Sequence, residues 1–325
     1  MSNIRKRLIS LVLKILFILL ILLCCFVLGV FINHKVQSKK ENSILKPIGQ
    51  LIEVNGSNMS IYTEGSGDKT IVFMAGSGTA SPILDFKSLY SLLSDEYKIV
   101  VVEKFGYGFS DDLDRNRDID TMLEDTRLAL KKADIQRPYI LCPHSMSGLE
   151  ALYWADKYPK EVSAIIGLDM AVPEYYVNMD LSTAVKNMKL NRVLRDLGIV
   201  RLIAKQQLNM LYSESSLSDS DREIYEALFS QKCISTANIN EGMKITENAR
   251  IVDEVAVSEM PILLFISDGS GGTGFDTETW RSIAINYISQ VENGQYIELD
   301  CPHYVHNFEY VRIAEEIKAY LSGMK

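Results

Sequence analysis

The sequence predicts an α/β protein: a mostly parallel sheet with helices on both faces, a helical cap insertion, and an N-terminal transmembrane helix. Three observations carry this. Short, continuously apolar runs of the strand type alternate with segments whose apolar residues recur every three or four positions. That alternation lapses between Pro173 and Met260, where helical periodicity continues without a strand run. From Ile15 to Ile32 there are 18 consecutive residues without a charge.

The chain is 325 residues long, more than a typical single domain, but α/β cores with an insertion reach this size. With 47% hydrophobic and 23% charged residues, neither disorder nor a fibrous class is indicated. A net charge of −8 with no basic stripe beyond the N-terminus argues against nucleic acid as a partner, because phosphate binding needs clustered Lys and Arg.

Residues 1–7 read as a cytoplasmic N-terminus and residues 8–32 as a membrane anchor. The apolar run is long enough to cross a hydrocarbon core of about 30 Å at about 1.5 Å per residue. Arg5, Lys6 and Arg7 precede it, and Lys14 can snorkel to the same side, which puts the N-terminus inside and the rest of the chain outside the cell membrane. A cleaved signal peptide is the competing reading, but its apolar region is usually shorter and no A-x-A-like site follows Ile32. Residues 33–48 are polar and basic and read as a linker. Cys24 and Cys25 lie inside the apolar run, and Cys142, Cys233 and Cys301 are too widely spaced to indicate a disulfide framework.

The core occupies 49–172 and 260–325. It begins with a hairpin, because alternating residues at 51–54 and 59–64 flank the turn pair Asn55-Gly56. Buried-type strands follow at 70–74, 98–103, 138–142 and 164–169, with a last pair at 261–266 and 296–300. Helical periodicity fills the gaps at 85–93, 119–133, 147–158, 279–289 and 310–322. A sheet wound in this way holds its ligand at the carboxyl ends of its strands. The interval 173–259, with helical patterns at 181–197, 200–211, 219–231 and 239–255, reads as a cap over that edge.

The chemistry is concentrated in YILCPHSMSGLEA at 139–151. A buried strand ends, a turn of small residues presents Ser145, and a helix starts at once. That geometry lifts a hydroxyl above a sheet and aims a helix N-terminus at it, leaving the Met146 N–H free for a developing oxyanion. A serine in this place can also serve merely as a helix cap.

The stretch HSMSG resembles the nucleophile elbow of the α/β-hydrolase superfamily, and the similarity runs from about Gly49 to Met324 in the order of that family. Pro143 and Ser147 stand where the family carries glycines. VFMAGSGTA at 72–80 is similar to the strand and loop that supply the second oxyanion donor, which the resemblance assigns to the Ser77 N–H, with Ala75 in place of a histidine and Gly76 retained. VVEKFGYGFSD at 101–111 resembles a loop-shaping segment, with Glu103 as the departure.

The resemblance implies that His303, after the final strand in LDCPHYVHNFEY, is the base, with Pro302 replacing a glycine. His306 is the alternative base, and the H-x-x-H pair could hold a metal, although no further ligands accompany it. The acid is open. Counting from the strand at 261, the usual position falls on Ser270, which cannot stabilise an imidazolium. Asp268 is the nearest carboxylate, with the glycine-rich loop 269–274 available to reposition it, and Asp276 lies beyond that loop. Asp169 is the other candidate, because members similar to haloalkane dehalogenases carry the acid there.

The implied activity is acyl transfer to water on a small-molecule acyl substrate, with no cofactor and no metal. An ester is the leading substrate class, an aminopeptidase-like amidase the second, and a noncatalytic binding module the reading from a different class. A dehalogenase would need Asp at position 145. The bilayer is the other partner, through the N-terminal helix.

Overall fold

The computed structural model describes residues 2–255 and 259–324, so 256–258 of the expected cap lie outside the described residues. Helix α1 (Ser2–Glu41) is a single uninterrupted helix. The linker expected at 33–48 is therefore helical through Glu41. Its composition permits this, since no Gly or Pro occurs from Asn33 to Glu41 and Lys, Gln and Glu are good helix formers. Docking secures it: Val30 and His34 are buried, and the Arg201 guanidinium holds the Glu41 carboxylate with both of its terminal nitrogens. Pro47 then bars continuation. Along the preceding membrane-length stretch the Leu, Ile and Phe side chains are exposed.

Strands β1 (Gln50–Val54) and β2 (Ser57–Glu64) form the expected hairpin. Asn55 and Gly56 have φ of +53° and +85°, the left-handed pair that a two-residue turn of this twist requires. The sheet continues with β3 (Thr70–Met74), β4 (Lys98–Glu103), β5 (Tyr139–Pro143), β6 (Val162–Leu168), β7 (Ile262–Ile266) and β8 (Gly294–Glu298), in the order β1-β2-β4-β3-β5-β6-β7-β8. Among the described residues, the pairings of β2 are antiparallel and the rest parallel.

Helices cover both faces. They are α2 (Pro82–Asp85), α3 (Lys87–Tyr90), α4 (Ile119–Lys132), α5 (Ser147–Lys157), and, after the inserted helices, α10 (Thr277–Ile288), α11 (Val305–Phe308) and α12 (Tyr310–Gly323). The strand residues sort by parity. Val72, Val100, Leu141, Ile165 and Leu264 face one cluster with Leu123, Leu152 and Trp280. Ile71, Phe73, Ile99, Ile140 and Phe265 face the other with Phe86, Leu89 and Ile317. Both faces are dry, so these strands carry no polar alternation. Strand β8 is half-exposed and lies at the sheet edge.

Among the described residues, four α-helices stand between β6 and β7: α6 (Ser182–Asp196), α7 (Arg201–Leu211), α8 (Asp219–Lys232) and α9 (Thr236–Asp253). Ser218 and Ser235 start α8 and α9 with reciprocal capping boxes, which fixes where each begins. Leu208, Tyr212, Leu217 and Tyr225 pack with Ala80 and Leu84, a separate apolar cluster joining α7 and α8 to the loop and helix after β3. Strand order reverses at β3, with β4 on one side and β5 on the other, so the loops after β3 and β5 diverge and leave a crevice.

Candidate active site

Ser145 sits in that crevice, between the end of β5 and the start of α5, with φ of +53°. A non-glycine residue there costs on the order of 1–3 kcal/mol and persists only if its surroundings enforce it. They do: the Ser145 carbonyl accepts from Ala171 N at 2.7 Å and from Gly148 N at 3.0 Å, and His144 N donates to the Met74 carbonyl at 2.9 Å. A Cβ at Gly148 would collide with the Ala171 carbonyl oxygen, so that glycine is required for the close approach of α5 to the β6 loop.

The loop after β3 is held against this elbow. A Cβ on Gly76 would fall 2.7 Å from the Ser145 Cβ, and the Ser147 hydroxyl donates to the Ala75 carbonyl. Ser147, a departure from the family pattern, thus makes a tie that glycine could not. Ser77 and Met146 follow Gly76 and Ser145 in the chain, and their backbone N–H groups donate no hydrogen bond among the described residues. Met146 thus adjoins Ser145 itself, and Ser77 adjoins the glycine packed against the Ser145 Cβ.

His303 lies in the loop between β8 and α11 and is buried. Its Nε2 is 2.9 Å from Ser145 Oγ and its Nδ1 2.5 Å from Asp169 Oδ2. With Nδ1–H donating to the carboxylate, Nε2 is left to accept a hydrogen bond from the Ser145 hydroxyl. Asp169 follows β6 with φ of +48° and is buried. Its carboxylate also accepts from Ser267 N at 2.7 Å, Ser267 Oγ at 2.6 Å and Trp280 Nε1 at 2.9 Å. The carboxylate is therefore fixed from several directions, and the imidazole inherits its orientation.

The other candidates are elsewhere engaged. Asp268 Oδ1 accepts from Ser270 N at 2.7 Å within its own loop, while the His303 ring nitrogens bond to Asp169 and Ser145. The glycine-rich loop does not swing it inward, because the Ser270 carbonyl instead accepts from His303 N at 2.8 Å and braces the imidazole's own backbone. Asp276 caps α10 by accepting from Thr279 N at 2.9 Å. His306 Nε2 lies 3.0 Å from Asp85 Oδ2 and is fully buried, so it belongs to a separate pair. Asp85, His144 and His306 bring ligating atoms within 4.8 Å of one another. Asp85 in that group also accepts from Tyr212 Oη at 2.8 Å and from Asn307 Nδ2 at 3.3 Å.

His144, packed against both His303 and His306, is buried and hydrogen-bonded through Nε2 to the His303 carbonyl at 3.2 Å. Burial, reinforced by the two neighbouring imidazoles, holds its pKa well below the ordinary histidine value. It is a neutral strut under the His303 backbone.

A second buried network adjoins the elbow and had no signal in the sequence. Lys104 Nζ pairs with Glu150 on α5 and with Glu241 on α9, at 2.8 Å in the latter case, and Tyr107 Oη donates to Glu241 at 2.8 Å. Burial opposes the charge on Lys104, but the two carboxylates outweigh it and hold its pKa above the usual range. Ser267 and Trp280 also escape sequence reasoning, since nothing local marks a serine or tryptophan as a partner of Asp169. The cleft of about 330 Å³ lined by Leu208, Tyr212 and Arg222 lies between α7 and α8 and does not include Ser145.

Comparison with known proteins follows the same lines. Residues 70–214 match the family model described as the alpha/beta hydrolase fold. The chain is 43% identical over 258 residues to the protein YbdG of Bacillus subtilis (strain 168), covering 78% of this chain and 79% of that protein. It is 32% identical over 111 residues to YqjL of the same organism, covering 34% of this chain and 43% of that one. Among solved structures it is similar to a thermophilic esterase from Thermogutta terrifontis, with TM-score 0.65 and 16% identity over 84% of this chain and 98% of that one. It is also similar to the haloalkane dehalogenase DbeA from Bradyrhizobium elkani, with TM-score 0.61 and 16% identity over 84% and 97% of the two chains. At such identity these two likenesses speak for fold alone.

Proposed function

Given that the chain belongs to the α/β-hydrolase superfamily, we propose that it is a serine hydrolase that cleaves a carboxylic ester, or a related acyl bond, through an acyl-enzyme on Ser145. The observation that supports this is the unbroken line from Ser145 Oγ through His303 to Asp169, with contacts of 2.9 and 2.5 Å.

In this reading Ser145 Oγ attacks the substrate carbonyl carbon while His303 Nε2 takes the hydroxyl proton. Negative charge gathers on the carbonyl oxygen, and the N–H groups of Ser77 and Met146 hold it there. Asp169 stabilises the imidazolium without itself taking the proton. Collapse of the tetrahedral species expels the alcohol, which carries off the proton from His303. Water, deprotonated by His303, then releases the acid and restores Ser145. Ser145 in place of an acidic nucleophile argues against dehalogenation, whatever the fold likeness.

Helix α1 is long and apolar enough to cross a membrane by length and composition. Its exposed leucines, isoleucines and phenylalanines have no protein cover among the described residues, which supports a single-pass anchor, with Arg5, Lys6 and Arg7 on the cytoplasmic side and the catalytic domain outside. The inserted helices α6 to α9 then serve as a cap over Ser145.

The test is hydrolysis of a panel of ester and aminoacyl substrates by the full chain. Turnover of an ester that falls by about a thousandfold or more in Ser145→Ala supports the reading. Equal turnover by the two proteins contradicts it.

A further inference from the structure

Helix α7 is apolar on two faces, and only one of them is used inside the protein. Ala204 and Leu208 are buried against the cluster that holds Tyr212 and Leu217. On the opposite face Leu202, Ile203 and Met210 are 55%, 47% and 69% exposed. At about 100° per residue these three side chains fall within one arc of about 100°, interrupted by Gln206 alone and opposite Ala204 and Leu208. On α6, Leu190 and Val193, one turn apart, are also exposed. A surface of this kind needs a partner.

The docking of α1 indicates which one. Between α6 and α7 the chain turns at Gly198, with φ of +82°, and an added Cβ there would collide with His34 Cβ and lie 3.2 Å from the Val30 carbonyl oxygen. Val30 belongs to the uncharged run that ends at Ile32. The corner between α6 and α7 thus reaches the last turn of the segment assigned to the membrane. Arg201 locks it there through Glu41, Ser38 and His34, and Gln231 Nε2 adds a bond to Glu41 at 2.6 Å. A corner held at that depth cannot stay clear of the bilayer, and Leu202 and Ile203 follow it by four and five residues.

Charge fits the same partner. Against the expectation of no basic stripe beyond the N-terminus, residues 182–211 carry Lys186, Lys189, Arg192, Arg195, Arg201 and Lys205 against Asp196 alone, a net charge of +5 in a chain of net −8. Lys186, Lys189 and Lys205 make no salt bridge among the described residues. Apolar side chains flanked by unpaired lysines match the boundary of an anionic lipid leaflet, where acyl chains take the first and headgroups the second.

We infer that the corner formed by α6 and α7 is a second membrane contact, with Leu202, Ile203 and Met210 sunk into the headgroup region of an anionic leaflet, so that the cap lies on the bilayer and its acyl substrates reach Ser145 from the lipid. This rests on the reading of α1 as an anchor. A second copy of this chain seated on the same face is the rival occupant.

The test uses the full chain in phosphatidylcholine vesicles containing phosphatidylglycerol, with and without brominated acyl chains. Trp154 and Trp280 are buried, so a new tryptophan reports its own surroundings. Ile203→Trp and Met210→Trp are expected to lose most of their added emission to the brominated chains, while Val311→Trp, exposed on α12, loses none. If α1 remains inserted by flotation and alkaline extraction but the indole introduced by Ile203→Trp stays unquenched, the inference falls and the anchor stands. If that indole is shielded but unquenched and the chain cross-links to itself, the face is a dimer contact and the inference also falls. If the chain washes off the vesicles, anchor and inference fall together. With Leu202→Glu, Ile203→Glu and Met210→Glu combined, hydrolysis of a long-chain ester dissolved in the bilayer should drop about tenfold while a water-soluble ester is unaffected, and equal loss on both contradicts the lipid route.

Discussion

His303 Nδ1 meets the Asp169 carboxylate at 2.5 Å, although the two residues are 134 positions apart in the chain and Asp268 is nearer along it. The choice between these acids is made by tertiary structure: Ser267 and Trp280 hold Asp169 at the end of β6, and Ser270 occupies Asp268. Asp169→Asn is expected to lower kcat on a soluble ester by about 10³- to 10⁴-fold, the size of effect seen when an acid that sets the imidazole tautomer is removed. Asp268→Asn should leave kcat within about twofold, as for a half-buried loop residue whose carboxylate bonds within its own loop. Steady-state kinetics of the two variants decide, and the reverse ranking would move the acid to β7.

The elbow demands glycine at 148. Gly148→Ala drives a Cβ into a backbone oxygen that cannot retreat without shifting the β6 loop and Asp169 with it. A loss of about 2 kcal/mol or more of stability, read as an earlier urea midpoint, should accompany a fall in kcat.

Lys104 ties α5 to the inserted helix α9. Replacing it with Met leaves Glu150 and Glu241 buried together without their cation, and removal of one partner of a buried network costs about 3–5 kcal/mol. Thermal unfolding of Lys104→Met should be correspondingly lower. An unchanged midpoint would mean that α9 is not tied to the core through this network.

Acid should weaken the fold through His144. Its folded pKa lies below the ordinary value of 6.5, so above about pH 6.5 both folded and unfolded chains hold it neutral and its contribution is fully present. As pH falls through that value the unfolded chain takes up the proton first, and stability drops by at most about 1.4 kcal/mol per pH unit until the depressed folded pKa is reached. Urea midpoints measured downward from neutral pH should fall in the wild type and flatten in His144→Gln.

Glu103 gives the opposite sign. Buried, with Oε2 accepting from Phe109 N at 2.8 Å, its carboxyl is pushed up to about 7 by burial. Its stabilising contribution is complete below the ordinary value of 4.5 and lost as pH rises through about 7. Glu103→Gln, which keeps the acceptor and removes the charge, should therefore be more stable than the wild type at alkaline pH and lose that advantage in acid.

Much of this molecule could be read from the chain because the signals are local. Strands β3 to β7 carry continuous apolar runs since both their faces are covered, Asn55-Gly56 sets the hairpin by backbone preference, and the strand, turn and helix around Ser145 occupy neighbouring residues. What escaped depends on contacts across long separations. Helix α1 runs on to Glu41 with Arg201 locking its end, Asp169 is held by Ser267 and Trp280, and Lys104 finds its second carboxylate on α9. The edge strand β8 starts at Gly294, ahead of the apolar run expected at 296–300, because half of it faces water and its pattern is weak.

The central claim is that Ser145 is the nucleophile. Treating the full chain with a fluorophosphonate ester, then locating the added mass by peptide sequencing, tests it most directly. One adduct is expected, on Ser145, absent from Ser145→Ala and slowed by orders of magnitude in His303→Ala. An adduct on another residue, or none on folded wild-type protein, would contradict it.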